Sequence, residues 1–152
     1  ISRGLVGSEM CIRDRNDAAK KIHQKLKEIE SSTKPTAIVW GGETTVKIKG
    51  SGLGGRNQEL ALIVAELAHQ DPIRKSWTFL SGGTDGRDGP TEAAGAIVDQ
   101  ETCKRILNEG YQVYDFLAEN NSNKALKISN DLLHTGATGT NVADVQILIV
   151  SQ

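Results

Sequence analysis

The sequence has few aromatic residues, no excess of charge of either sign and no long hydrophobic run. Only 4% of its 152 residues are aromatic, and 18 lysines and arginines balance 19 aspartates and glutamates. A near-neutral chain with so few aromatics lacks the electrostatic attraction and the stacking surfaces that nucleic-acid or anionic-membrane binding needs. No apolar stretch approaches the roughly 18 residues that cross a bilayer. We therefore expect neither nucleic acid nor a membrane as a partner.

Cysteine and histidine are also scarce, and neither forms a recognisable motif. Cys11 and Cys103 are isolated thiols without the spacing or density of a secreted disulfide scaffold, and no signal-peptide pattern precedes them. The expected setting is reducing and cytoplasmic. His23, His69 and His134 have no spacing typical of a metal site or a catalytic triad.

The length suits one globular domain preceded by a short lead-in. Residues 1–15 show neither helical nor strand periodicity, and we expect them to be foreign to the fold, either disordered or a scar of sequence assembly. Residues 16–34 are expected to form a lead-in helix, with apolar positions at helical spacing, and a Ser-Ser-Thr-Lys linker that ends before Pro35. Residues 35–152 carry the alternating strand and helix patterns of the domain itself.

The pattern within that domain predicts a single α/β domain, a mixed β-sheet with flanking helices. Strands 37–40 and 45–49 are expected to form a hairpin through Gly41 and Gly42, and the apolar strand 145–150 is expected at the centre of the sheet. The segment 93–98 fits either a helix or a strand. The remaining elements are a strand at 77–80 and helices over 57–69, 101–108, 113–119 and 123–129.

Glycine is abundant, with 16 residues gathered mainly into a few loops. Those at 50, 52 and 55 satisfy GxGxxG, but the preceding strand alternates lysine with apolar residues, whereas a dinucleotide-binding strand is buried on both faces. The same residues suit an anion site, because free N–H groups at a helix start lie beside the Arg56 guanidinium. A flexible connection with a solvated arginine explains the pattern equally well.

Two further loops combine glycine with polar side chains. The first, at 82–91, contains Asp85 and Asp88, which could hold a divalent cation, act as a base or form local turns; their spacing is not that of an EF-hand. In the second, at 135–141, threonine alternates with glycine. Because glycine has no side chain, the backbone N–H groups of this loop could approach an anion closely. Neither contains a P-loop sequence. Together with the loop at Arg56, they predict one polyanion site on one open face.

Four motifs in this order resemble the C-terminal, or MOFRL, domain of glycerate 2-kinases, a family that also carries the name hydroxypyruvate reductase. They are Gly-Gly-Glu-Thr-Thr-Val at 41–46, Gly-Gly-Arg-Asn-Gln-Glu at 54–59, Gly-Thr-Asp-Gly at 83–86 with Asp-Gly-Pro-Thr at 88–91, and Thr-Gly-Thr-Asn-Val at 138–142. The resemblance runs from about residue 36 to 150. Ala137 departs from it, since the family commonly has proline there.

The resemblance implies an enzyme that phosphorylates D-glycerate at its 2-hydroxyl with ATP and Mg²⁺. Its active site would lie in a cleft between this domain and a larger Rossmann-like N-terminal domain, which carries an active-site lysine and is absent from this sequence. We expect this domain to be inactive without that partner. Two alternatives stay open: an NAD(P)H-dependent hydroxypyruvate reductase, and a stand-alone anion-binding or regulatory module.

The resemblance also assigns roles to individual residues. Arg56 is the first candidate for a catalytic charge on substrate or phosphate, and Asp85 and Asp88 are candidates for metal ligand or base. We expect Arg56→Ala to abolish turnover and leave folding intact. The candidate substrate- or phosphate-binding residues are Glu43, Thr44, Gly55, Asn57, Thr84, Thr138, Gly139, Thr140 and Asn141. Of these, Glu43 and Asn57 would orient the others rather than touch the substrate.

Overall fold

A computed structural model describes residues 5–9 and 14–151 of the chain. Within these ranges it contains six strands and five helices. The strands are β1 (Leu5–Glu9), β2 (Thr36–Gly41), β3 (Trp77–Gly83), β4 (Gly95–Asp99), β5 (Leu132–Leu133) and β6 (Asp144–Val150). The helices are α1 (Arg15–Glu30), α2 (Arg56–Gln70), α3 (Thr102–Asn108), α4 (Val113–Ala118) and α5 (Ser122–Ile128).

The described strands form one mixed sheet in the order β1-β2-β6-β3-β4-β5. β1 and β2 are parallel, and every other neighbouring pair is antiparallel. The apolar strand β6 lies inside the sheet, as predicted, because it pairs with β2 on one side and β3 on the other. The segment of ambiguous periodicity became β4. The predicted fold class, an α/β domain with a mixed sheet and flanking helices, is confirmed.

The core lies between the sheet and its helices. Ile22 and Leu26 of α1, Leu60 of α2, Phe79 of β3 and Leu148 of β6 are all fully buried in one continuous cluster. The helical spacing read from the sequence therefore identifies the inward faces of α1 and α2 correctly. No helix within the described ranges has the length and apolar character that a membrane span requires.

The predicted hairpin is wrong. β2 pairs with β1 on one side and β6 on the other, so no sheet edge remains for residues 45–49. That segment forms an irregular connection instead, and Ile48 is 79% exposed. The Asn120 side chain accepts hydrogen bonds from the backbone N–H groups of Lys49 (2.7 Å) and Gly50 (2.9 Å). The Asn120 side chain, from the α4–α5 turn, thus accepts backbone hydrogen bonds that a partner strand would otherwise accept.

Part of the amino-terminal stretch that we expected outside the fold contributes to it. Leu5–Glu9 adds an edge strand through backbone pairing with β2, which depends little on side-chain identity. Asp14 caps α1 by accepting a hydrogen bond from Asn16 N–H (2.7 Å), and Arg15 opens that helix. Residues 1–4 and 10–13, including Cys11, lie outside the described residues.

Candidate active site

The predicted site residues follow strand ends that meet at one edge of the sheet. Because β2 and β3 are both antiparallel to β6, their carboxyl ends lie beside the first residues of β6. Gly83, at the end of β3, is opposite Asp144. Glu43 and Thr84 follow β2 and β3, and Arg56 opens α2 close to them. Three segments distant in sequence are brought together in this way.

Arg56 is held by two carboxylates at this edge. Its Nε donates to Oδ2 of Asp144 (2.6 Å) and its Nη2 to Oδ1 (2.9 Å), a two-bond pairing in which the Asp144 side chain is 1% exposed. Nη2 also donates to Oε1 of Glu43 (3.2 Å), which is largely solvent-exposed. Hydrogen bonding to Asp144, followed by the charges of Asp144 and Glu43, raises the pKa of Arg56 above its ordinary value. The guanidinium is therefore permanently charged and fixed in orientation.

Asp88 forms a dense set of hydrogen bonds with the first residues of α2. Its carboxylate accepts backbone hydrogen bonds from Asn57 (3.1 Å) and Gln58 (2.9 Å) and side-chain hydrogen bonds from the same two residues (3.2 and 3.0 Å). Gly55, the helix N-cap residue, has no side chain, and Asp88 caps α2 from another loop. Four donors occupy the lone-pair positions of a carboxylate. The structure thus shows Asp88 as the cap of α2, and its role as metal ligand or base stays a prediction.

Burial modifies the ionisation of this cap. Asp88 is 2% exposed, and desolvation raises the pKa of its carboxyl above the ordinary value, while the donors from α2 act in the opposite direction. Asn57 is buried next to it and accepts a hydrogen bond from the Ser81 hydroxyl (2.7 Å). Asn57 therefore connects the cap to β3 and is not available for direct contact with a ligand.

The GxGxxG glycines are explained by packing within the chain. A Cβ at Gly50 or Gly52 would overlap the backbone of Glu119 or the side chain of Asn121, and one at Gly54 would overlap the Ser122 hydroxyl. The glycine loop therefore lies directly on the α4–α5 turn. Its lack of side chains serves that close approach, so the pattern needs no dinucleotide to account for it.

The loops of Asp85 and Thr138 form a second part of the site. Thr138 donates a hydrogen bond from its hydroxyl to the Thr84 carbonyl, and the Thr84 hydroxyl donates to the Ala143 carbonyl (2.7 Å). Gly86 lies so close to the Gly136 carbonyl that a Cβ there would overlap it. The two loops are therefore packed directly against each other. The predicted site residues that they expose are Asp85, Thr138, Gly139, Thr140 and Asn141.

Two cavities lie along this edge. One of about 430 Å³ is lined by Glu43, Thr44, Gly55 and Arg56. Another, of about 600 Å³, is lined by Asp85 with the loop at 136–137. The three predicted loops thus share one edge of the sheet, but Arg56 and Asp85 face separate cavities. Thr44 is buried at the first cavity, and its hydroxyl forms no hydrogen bond with the described residues.

The described residues of this domain do not provide a complete set of metal ligands. Among residues 5–9 and 14–151, no group of three histidine, cysteine, aspartate or glutamate side chains is arranged to hold an ion. Asp85 is exposed, whereas Asp88 is engaged by α2. Of the two predicted ligands, only Asp85 is placed to offer a carboxylate.

Several important residues were missed by the sequence analysis. Asp144 opens an apolar strand, and a charge in that position is the one local signal that could have identified it. Glu59, buried in α2, pairs with Arg15 (2.8 Å) and accepts a hydrogen bond from the Asn120 side chain (3.0 Å). Asn120 lies in a stretch that reads as a plain polar loop, and it adopts a positive φ of 51°.

Comparison with known proteins identifies the family. The MOFRL family model matches residues 36–144. The chain is 45% identical over 139 residues to D-glycerate 2-kinase of Thermotoga maritima, covering 88% of this chain and 32% of that protein. It is also 45% identical over 134 residues to human glycerate kinase, covering 86% of this chain and 26% of that protein.

Solved structures agree in fold. A crystal structure of glycerate kinase from Thermotoga maritima superposes with a TM-score of 0.89 at 41% identity, covering 98% of this chain and 36% of that one. A crystal structure of a protein from Pyrococcus horikoshii superposes with a TM-score of 0.84 at 39% identity, covering 97% of this chain and 34% of that one. The chain thus spans between about a quarter and a third of the relatives described here. It belongs to the MOFRL family.

Proposed function

We propose that this chain is the MOFRL portion of a glycerate 2-kinase, which transfers the γ-phosphoryl group of ATP to the 2-hydroxyl of D-glycerate. The observation that carries the proposal is the 45% identity to a D-glycerate 2-kinase over 139 residues. The family match at residues 36–144 includes all four loop motifs. The active site would lie between the sheet edge described above and the remaining two thirds of the enzyme.

Arg56 is the residue best placed to bind the anionic substrate. Phosphoryl transfer depends mainly on positioning and on neutralising charge. The guanidinium keeps a fixed orientation, lies at a cavity of about 430 Å³ and is 39% exposed. Arginine binds carboxylate and phosphate groups through paired hydrogen bonds. Arg56 would therefore hold the glycerate carboxylate or the phosphoryl group that is transferred.

The reaction also needs a group that accepts a proton. The 2-hydroxyl oxygen forms a bond to the γ-phosphorus, the bond from that phosphorus to the bridging oxygen of ADP breaks, and the hydroxyl proton passes to a base. Asp85 is exposed, and its Oδ1 accepts only the Arg87 N–H (3.1 Å) among the described residues. Asp85 is thus the candidate base of this domain. The exposed threonines and backbone of 138–141 would contact phosphate oxygens.

Magnesium, when bound with ATP, neutralises charge on the phosphate oxygens. Asp85 is the carboxylate of this domain that would help to hold it, and it cannot serve as ligand and base at once. Mg²⁺ commonly keeps water and substrate phosphates as most of its ligands. One carboxylate from this domain therefore fits the requirement, provided that the remaining enzyme or the nucleotide supplies the others.

The cluster around Arg56 also explains why this domain would be inactive alone. One arginine faces two carboxylates, Asp144 and Glu43, so the cluster carries a formal charge of −1. A polyphosphate is repelled by such a cluster unless further positive charge is added. We propose that the remainder of the enzyme supplies that charge.

A hybrid enzyme tests the proposal. Residues 36–150 of this chain would replace the matching part of the Thermotoga maritima D-glycerate 2-kinase, and the unmodified relative would serve as control. We expect ATP-dependent formation of 2-phosphoglycerate. A folded hybrid that forms none, or one that instead consumes NAD(P)H with hydroxypyruvate, would overturn the proposal. Phosphate binding by the isolated chain without any kinase activity in the hybrid would favour an anion-binding module.

A further inference from the structure

We propose that Asp144 is a positioning residue, which holds the Arg56 guanidinium in the orientation that binds the substrate anion. The inference rests on the proposed function, because it assigns a purpose to Arg56. Asp144 lies outside the four motifs that carry the family resemblance, and its role follows from contacts alone. Its two oxygens accept hydrogen bonds from Nε and Nη2 of Arg56 at 2.6 and 2.9 Å.

This pairing determines which side of the guanidinium faces the cavity. An arginine has five N–H donors in one plane. Asp144 takes the donor on Nε and one on Nη2, and Glu43 takes the other donor on Nη2 at 3.2 Å. Within the part of the chain that the structure describes, the two donors on Nη1 form no hydrogen bond. They remain available for a carboxylate or phosphate oxygen in the cavity.

Asp144 is itself fixed more firmly than the residue it holds. Its side chain is 1% exposed, whereas that of Arg56 is 39% exposed. Its backbone pairs with Gly83 of β3, and its carbonyl accepts a hydrogen bond from Gly42 N–H (3.2 Å). Backbone contacts on both sides therefore anchor Asp144, and the longer arginine side chain adopts the geometry that this anchored carboxylate imposes.

The backbone before Asp144 connects it to the second part of the site. Ala143 has a φ of 72°, a left-handed conformation that a residue with a Cβ adopts at a cost. The Ala143 carbonyl accepts hydrogen bonds from both the backbone N–H (3.1 Å) and the hydroxyl (2.7 Å) of Thr84. The Thr138 hydroxyl contacts the Thr84 carbonyl in turn. Asp144 is thus linked to the loop at 138–141 through its neighbour Ala143 and through Thr84.

Stability alone is a poor reason for this arrangement. A buried carboxylate loses its hydration, and a salt bridge at such a place often stabilises a fold no better than apolar residues of the same size. A fixed arginine, by contrast, does not need to be ordered when substrate binds. The structure therefore indicates that Asp144 serves the binding function of Arg56.

The experiment compares Asp144→Asn with Asp131→Asn in the hybrid enzyme. Asp131 is a matched control, because it is 9% exposed, pairs with Arg105 (2.7 Å) and lines neither of the two cavities. We expect Asp144→Asn to lower kcat/KM by about 10- to 100-fold, as loss of an orienting partner typically does. Asp131→Asn should leave kcat/KM unchanged, even if it lowers the melting temperature as much as Asp144→Asn does.

A double mutant separates positioning from an independent effect. If Asp144 acts through Arg56, Asp144→Asn should cause little further loss in an Arg56→Lys background, because the two losses are then not additive. Additive losses would overturn the proposal. Equal effects of Asp144→Asn and Asp131→Asn would overturn it as well, since they would show a structural role alone.

A measurement on the isolated chain keeps the two proposals distinct. In NMR, the Arg56 Nε–H proton should exchange slowly with water in the unmodified chain. The exchange should be about 10-fold or more faster in Asp144→Asn, and its rate should be unchanged in Glu43→Gln. An inactive hybrid would overturn the proposed function. An exchange rate that Asp144→Asn does not alter would overturn the role of Asp144, whether or not the hybrid is active.

Discussion

The carboxylate of Asp88 and the backbone of Gly55 are in direct contact at the N-terminus of α2, and no side chain can be accommodated between them. A Cβ at position 55 would overlap Cγ and both oxygens of Asp88. The N-cap of the helix and the side chain that caps it therefore come from loops about 30 residues apart. Several consequences of this and related contacts can be measured.

Gly55→Ala should destabilise the fold. The new Cβ would displace Asp88 and weaken the hydrogen bonds that cap α2, with an expected loss of about 1–3 kcal/mol in the free energy of unfolding. Gly41→Ala is the matched control, because a Cβ at Gly41 meets nothing within 4 Å. Urea unfolding of both variants checks the prediction, and equal stabilities would contradict it.

Asp88→Ala should also destabilise the chain, by about 2–4 kcal/mol, because it leaves the buried donors of Asn57 and Gln58 without an acceptor. Asp85→Ala serves as the comparison, since Asp85 is exposed and should cost under about 1 kcal/mol. In the hybrid enzyme the effect of Asp85→Ala should be on activity rather than on stability. Asp85→Ala would then abolish turnover in a folded protein, and normal turnover would remove Asp85 as base or ligand.

Arg56→Ala should lower stability as well as activity, contrary to the expectation from sequence. Its removal leaves the Asp144 carboxylate buried and unpaired, at a cost of about 1–3 kcal/mol in the free energy of unfolding. The cost is smaller than for a fully buried pair, because the arginine is partly exposed. Thermal unfolding of Arg56→Ala and of the double variant Arg56→Ala, Asp144→Ala provides the check. The double variant should be more stable than Arg56→Ala, because it no longer contains the unpaired carboxylate. If the loss of stability in the double variant equals the sum of the losses in Arg56→Ala and Asp144→Ala, the prediction is contradicted.

Cys103 should be unreactive in the folded chain, and its titration should weaken the fold at alkaline pH. Burial, with the nearby charge of Glu66, raises the pKa of the Cys103 thiol far above the ordinary 9.0. Unfolding lets the thiol ionise near pH 9, so the free energy of unfolding should fall as pH rises through 9. In a Cys11→Ser background, alkylation should be about 100-fold or more slower in buffer than in denaturant. A Cys103→Ala variant should lose the pH-dependent decrease, and fast alkylation of the folded chain would contradict the prediction.

The sequence by itself determined the elements whose signal is local. Helical spacing identified the buried faces of α1 and α2, a run of apolar residues placed β6 at the centre, and the order of four short motifs identified the family. Each of these depends on residues a few positions apart. The alternating pattern at 45–49 shows the limit of such reasoning, because a strand also needs a free neighbouring edge, and β2 has none.

Only the tertiary structure decided what the polar residues do. Asp85 and Asp88 have the same local surroundings in the sequence, yet one is exposed and the other caps a helix 30 residues away. Asp144 pairs with Arg56 across 88 positions of sequence. The role of a carboxylate is set by the donors that surround it and by its access to water, and both arise only when distant segments of the chain pack together.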